Sequence, residues 1–345
     1  MYKRLRVLSL ASVVGMALVL FMGALVTKTG SGDGCGTDWP LCNGKFVPAY
    51  TIESMIEYSH RFVSGAVGLI VLLTAVAAFI GLKRNGEALL FAFGTLFFTV
   101  LQAILGAFAV VWPQSDFVMA LHFGFSLIAF STALLFAVGV RSGKYVPDRA
   151  EHAGTPRGLE KGGTAQPAAA SYTPGFRKLV WAVTAYCYVV VYIGAFVRHT
   201  ESYAGCIGWP LCNGKLIPEL TGAVGIAFYH RLAALLLLIA IGYTVYRAFK
   251  EKGSTPHMLS AARWSFALIA LQVASGATIV WTLGNDWYLL TALIHVVIVS
   301  GLFGVLCYMC LLVWRSARVP KTKPLSVQHA AVPGNRIGRP GEGNT

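Results

Sequence analysis

Charge is what this chain has least of. Only 12% of its 345 residues are Asp, Glu, Lys or Arg, where a soluble domain carries about a quarter. With 56% hydrophobic residues and a mean hydropathy of +0.65, that scarcity excludes an ordinary soluble globule. Acidic residues are scarcer still, 14 against 28 Lys and Arg, which leaves a net charge of +14. The first apolar stretch follows Lys3, Arg4 and Arg6, as a secretory signal would. It is too long for a signal core and no A-x-A-like cleavage site follows it, so it reads as a membrane span.

The apolar residues are gathered in runs long enough to cross a bilayer as helices. Eight spans are expected, over about 7–27, 56–82, 88–111, 117–140, 177–198, 224–247, 260–283 and 287–314. Charge orients them. With the N-terminus in the cytoplasm, only six of the 28 Lys and Arg face outward: Lys28, Lys45, Arg61, Arg198, Lys215 and Arg231. That is a strong positive-inside asymmetry, which places a multi-pass protein in the cell membrane with both termini cytoplasmic. The basic residues are spread over several cytoplasmic segments, which argues against a nucleic-acid partner; the partner they imply is the lipid bilayer.

The chain repeats itself. Cys35-Gly-Thr-Asp-Trp-Pro-Leu-Cys42-Asn-Gly-Lys45 recurs as Cys206-Ile-Gly-Trp-Pro-Leu-Cys212-Asn-Gly-Lys215. His60-Arg61 recurs as His230-Arg231, and Leu101-Gln102 as Leu271-Gln272, each 170 residues on. His122 and His295, 173 apart, are the second intramembrane histidine of each half. The fold class that follows is an all-α integral membrane protein of eight transmembrane helices in two pseudo-symmetric four-helix bundles, related by an axis along the membrane normal. Residues 1–140 form the first bundle and 177–314 the second. The Gly-, Ala-, Pro- and Thr-rich stretch 141–176 reads as a flexible cytoplasmic linker, and 315–345 as a disordered basic tail.

Of eight histidines, His152, His257 and His329 fall in cytoplasmic segments and read as solvated, while His199 is matched in the repeat by Lys28. His60, His122, His230 and His295 sit at similar depth near the outer ends of their helices. Ionisable residues inside a membrane are costly and usually functional. No Asp, Cys or third His recurs with them in both halves, and a bare Zn or Cu site needs a third or fourth ligand. A haem brings its own four equatorial nitrogens, so two histidines on opposite helices of a bundle suffice as axial ligands. Two haem sites are expected, His60 with His122 and His230 with His295. Arg61 and Arg231, each next to a histidine, are candidates for pairing with haem propionates.

The halves differ at Glu57, three residues before His60 and so on the same helical face; its counterpart is Ala227. A carboxylate beside one haem alone suggests that the first site performs chemistry, with Glu57 stabilising positive charge or moving protons, while the second relays electrons. Cys35 with Cys42, and Cys206 with Cys212, share outer loops on the oxidising side, so both pairs can be disulfides, bracing or redox-active. Cys187, Cys307 and Cys310 lie in spans and read as small core residues.

Taken together, the paired Trp-Pro-Leu-Cys-Asn-Gly loops, Glu57-Tyr-Ser-His60-Arg61 and the second histidines His122 and His295 resemble haem A synthase of the bacterial type, across essentially all eight spans. The resemblance implies an oxidoreductase that converts the C8 methyl of haem O to a formyl group, making haem A for terminal oxidases. It implies that the first half takes the substrate haem through His60 and His122, and that the second holds a haem b cofactor through His230 and His295. Glu57 matches the family's functional glutamate, and Cys35 and Cys42 its functionally implicated pair. Haem O synthase and a terminal-oxidase assembly pathway are the partners implied; the electron acceptor stays unassigned. The residues themselves leave open a di-haem cytochrome relaying electrons from quinol or to the disulfides, and a haem transport or chaperone protein.

Overall fold

The computed structural model describes residues 2–46, 50–112, 116–145 and 171–318. Most of the expected 141–176 linker and of the 315–345 tail therefore lies outside the described residues. Eight helices long and apolar enough to cross a membrane are present: α1 (Tyr2–Thr29), α2 (Ile52–Leu82), α3 (Gly86–Val111), α4 (Asp116–Arg141), α5 (Pro174–His199), α6 (Gly222–Lys250), α7 (Pro256–Trp281) and α8 (Tyr288–Ala317). Their starts are capped by the residues the sequence supplies. Thr51, Asn85, Thr173 and Thr255 accept from the backbone N–H of Ser54, Ala88, Phe176 and Met258, and proline opens α5 and α7.

Within the first half α1 packs on α2 and α4, and α3 on α2 and α4; within the second, α5 packs on α6 and α8, and α7 on α6 and α8. Each half is thus a closed ring of four helices. The halves meet through α4 against α5, α1 against α8, and α4 against α8. Exchanging each helix with the one four places on maps these contacts onto themselves, as a two-fold relation requires. In α4 and α8, 56% of the most apolar stretch is buried, against 17–39% in the other six, because both face their own bundle and the opposite one.

The two disulfide loops lie at the same end. In each, Asn-Gly turns the chain with positive φ at both residues, 51° and 73° at Asn43 and Gly44, 53° and 76° at Asn213 and Gly214. That is the two-residue turn that Asn-Gly favours. It is closed by Cys42 N–H to the Lys45 carbonyl at 2.9 Å and by Cys212 N–H to the Lys215 carbonyl at 3.1 Å. At the opposite end a latch joins the halves. Glu87 at the start of α3 accepts from Arg315 Nε at 3.1 and 3.3 Å near the end of α8, and from the Tyr145 hydroxyl at 3.0 Å.

Candidate functional site

Each of the four intramembrane histidines stands about two turns inside its helix from the disulfide-loop end, on α2, α4, α6 and α8. Each faces a glycine on a neighbouring helix. A Cβ added at Gly23 would lie 3.2 Å from His60 Cε1, at Gly106 3.7 Å from His122, at Gly194 2.8 Å from His230 and at Gly276 3.5 Å from His295. The glycines on α1, α3, α5 and α7 thereby make space for the rings, as small residues do between membrane helices. The sequence pairs His60 with His122 and His230 with His295, and the structure places all four along one cavity. Among the described residues no three His, Cys, Asp or Glu gather as a metal site.

All four histidines line one cavity of about 1900 Å³ that runs across both halves, together with Glu57, Arg61, Arg231, Lys28 and His199. A drug-sized ligand fills a pocket of roughly 300–1,000 Å³, so this space is about twice the upper end of that range. Buried Nδ1 atoms of His60, His122 and His230 have no hydrogen-bond partner in the protein. Paired imidazoles, mainly apolar walls and the lack of further ligands fit a tetrapyrrole that brings its own equatorial donors.

His295 differs. Ser275 Oγ lies 2.8 Å from its Nδ1, and Gln272 Nε2 lies 2.9 Å from its Nε2. In the first half Gln102 instead accepts from Ser126 Oγ at 3.0 Å, and Leu105 takes the place of Ser275. These partners were missed in the sequence, although the repeated Leu-Gln pair was their signal.

Glu57 is buried, 3% exposed, whereas Glu53 one turn earlier is exposed. That separates it from an interfacial carboxylate. Its Oε2 accepts from the backbone N–H of Cys35 at 2.7 Å, and its Oε1 accepts from Arg61 Nη2. Arg61 Nη1 also donates to the carbonyls of Asp38 at 2.8 Å and Leu41 at 2.7 Å. In the second half Arg231 Nη1 donates to Gly208 and Leu211, at 2.8 and 3.1 Å. With no glutamate there, its Nη2 turns to the Cys206 carbonyl. Both arginines thus bind helix to loop, a role that their position next to a histidine did not reveal. The loops are closed by disulfides between Cys35 and Cys42 and between Cys206 and Cys212. Cys187 and Cys310 are buried among apolar side chains. His257 is exposed, and His152 and His329 lie outside the described residues.

A family model described as COX15-CtaA, cytochrome oxidase assembly protein, matches residues 49–307. A heme A synthase of Symbiobacterium thermophilum is 44% identical over 312 residues, 90% of this chain and 95% of the relative. A heme A synthase of Alkalihalophilus pseudofirmus is 38% identical over 316 residues, 91% of this chain and 99% of the relative. One of Listeria monocytogenes is 37% identical over 318 residues, 92% and 97% respectively.

Proposed function

The chain belongs to the COX15-CtaA family of cytochrome oxidase assembly proteins, and from that premise we propose that it oxidises the C8 methyl of haem O to a formyl group, making haem A for terminal oxidases. The first half, 1–140, takes the substrate haem between His60 and His122. The second, 177–314, holds haem b between His230 and His295, and 141–176 and 315–345 serve as linker and tail. Haem b, when bound, supplies a one-electron couple. The chain lies in the cell membrane with its termini in the cytoplasm, as the charge asymmetry favours. Haem O synthase is the upstream partner.

One observation carries the division of labour: the buried Glu57 shares the cavity with His60 and His122, and Ala227 stands in its place beside His230. Oxidising a methyl group removes electrons and releases protons at the ring edge. A carboxylate held there stabilises the positive character that builds up and accepts a proton. The N–H of Cys35 and the Arg61 guanidinium fix its orientation, so the disulfide loop positions the reacting group. Arg61 and Arg231, both lining the cavity, attract the haem propionates while bracing their loops.

The test is pigment extraction from cells that make haem O, with and without this chain. New haem A is the expected result. A chain that binds two haems yet yields no haem A would be an electron relay instead.

A further inference from the structure

The cavity is not the same shape in the two halves. On α2, one turn beyond His60, stand Ser64 and Gly65, and a turn further Gly68; all three line the cavity. A Cβ added at Gly65 or Gly68 would meet nothing within 4 Å. The repeat counterparts on α6 are Ala234, Leu235 and Leu238. On α3 the facing residue Ala103 is matched by the larger Val273 on α7. The first-half cavity also runs a turn deeper, to Leu72, Leu96 and Val100. Their counterparts Gly242, Phe266 and Ala270 do not line it, and the Phe266 ring lies 3.8 Å from where a Cβ at Gly242 would be.

The result is a groove between α2 and α3 that continues from the histidine pair about 18 Å along the helix. Its walls at Leu72 and Val100 are 43% and 51% exposed, so it opens toward lipid. At its head the buried Ser64 hydroxyl has no hydrogen-bond partner, an unusual state for a buried polar group. Most serines and threonines in these helices bond the carbonyl three or four residues back, as Ser126 does to His122.

Haem O differs from haem b in one substituent, a hydroxyalkyl isoprenoid tail in place of a vinyl group. We propose that this groove holds that tail, with Ser64 bonding its hydroxyl and Gly65 and Gly68 leaving space for the chain. Ala234, Leu235 and Leu238 deny the tail a place in the second half, so the tail sorts the two haems between two similar histidine pairs. This inference rests on the first half being the haem O site.

The test is titration of the purified full chain with haem O and, separately, haem b, followed by difference absorbance. The variants carry the second-half residues: Gly65→Leu with Gly68→Leu, and Ser64→Ala. The double variant is expected to bind haem O at the first site at least about tenfold more weakly, with haem b binding there changed less than about twofold. Ser64→Ala should cost haem O several-fold and haem b nothing, as loss of one hydrogen bond predicts. The low-spin spectrum of the second half reports folding, and Gly68→Ala replaces the double variant if that spectrum is lost. Equal weakening for both haems, or none for either, would overturn the inference while leaving the proposed activity standing. A wild-type chain that binds haem O only in its second half would sink the activity assignment and this inference with it.

Discussion

The two halves of this molecule use the same helices, turns, histidines and glycine seats, and part company at a handful of repeat-matched positions. In the second half Ser275 orients His295 through Nδ1, which leaves Nε2, the nitrogen that Gln272 contacts here, as the one that would take iron, and Leu235 and Leu238 narrow the space. The first leaves its site more open. Leu105 leaves His122 Nδ1 without a partner, Gly65 and Gly68 leave space, and Glu57 adds a carboxylate. Under the proposed assignment, the duplicated scaffold serves a permanent tenant on one side and a passing molecule on the other. The change takes few substitutions because an orienting partner and a filled cavity are what separate retention from exchange.

The largest effect should come from removing a ligand in the second half. His230→Ala or His295→Ala is expected to abolish the tightly bound low-spin b-type spectrum, read on the purified chain. Survival of that spectrum in both variants would show that the second half does not hold its haem this way. Next comes the first half. Glu57→Gln keeps the bound haem b but should lower haem A formation at least about tenfold, the loss of roughly 1.4 kcal/mol in the transition state. Undiminished haem A at equal protein level would remove the main distinction between the halves.

Smaller effects sharpen the comparison. Ser275→Ala frees His295 Nδ1 and should weaken haem b retention about tenfold, the scale of lost support behind a metal ligand. Leu105→Ser is the reciprocal change and should lengthen haem residence in the first half; competition with apomyoglobin measures both. The smallest difference is expected at the loops. Replacing Cys35 and Cys42 by Ser should cost more activity than replacing Cys206 and Cys212, because the N–H of Cys35 holds Glu57 and no such bond exists in the second loop. Equal losses in the two double variants would mean that the disulfides only brace.

Much of this was legible in the sequence, because membrane helices announce themselves by length and the repeat announces the site. The helix ends were less so. α1 begins at Tyr2 rather than near residue 7, since Lys3, Arg4 and Arg6 mark the edge of the bilayer and not the edge of the helix. α7 starts at Pro256, four residues before its apolar run, because Thr255 caps it and proline suits a first turn. That the four histidines and Glu57 line one cavity could be anticipated from their spacing. The tasks of Arg61 and Arg231 could not, since their partners are backbone carbonyls that converge only once the loop has turned at Asn-Gly. Nor could the glycine seats, because glycine is common in membrane helices and its meaning depends on what faces it.

The Glu87–Arg315 latch bears on how the molecule is made. Its partners are separated by 228 residues, and the chain emerges N-terminal end first. Glu87 enters the membrane's edge with α3 and meets its guanidinium only when α8 is nearly complete. Biosynthesis therefore leaves Glu87 without this partner until α8 has been made, and a messenger truncated before codon 315 yields a protein with that carboxylate deprived of Arg315.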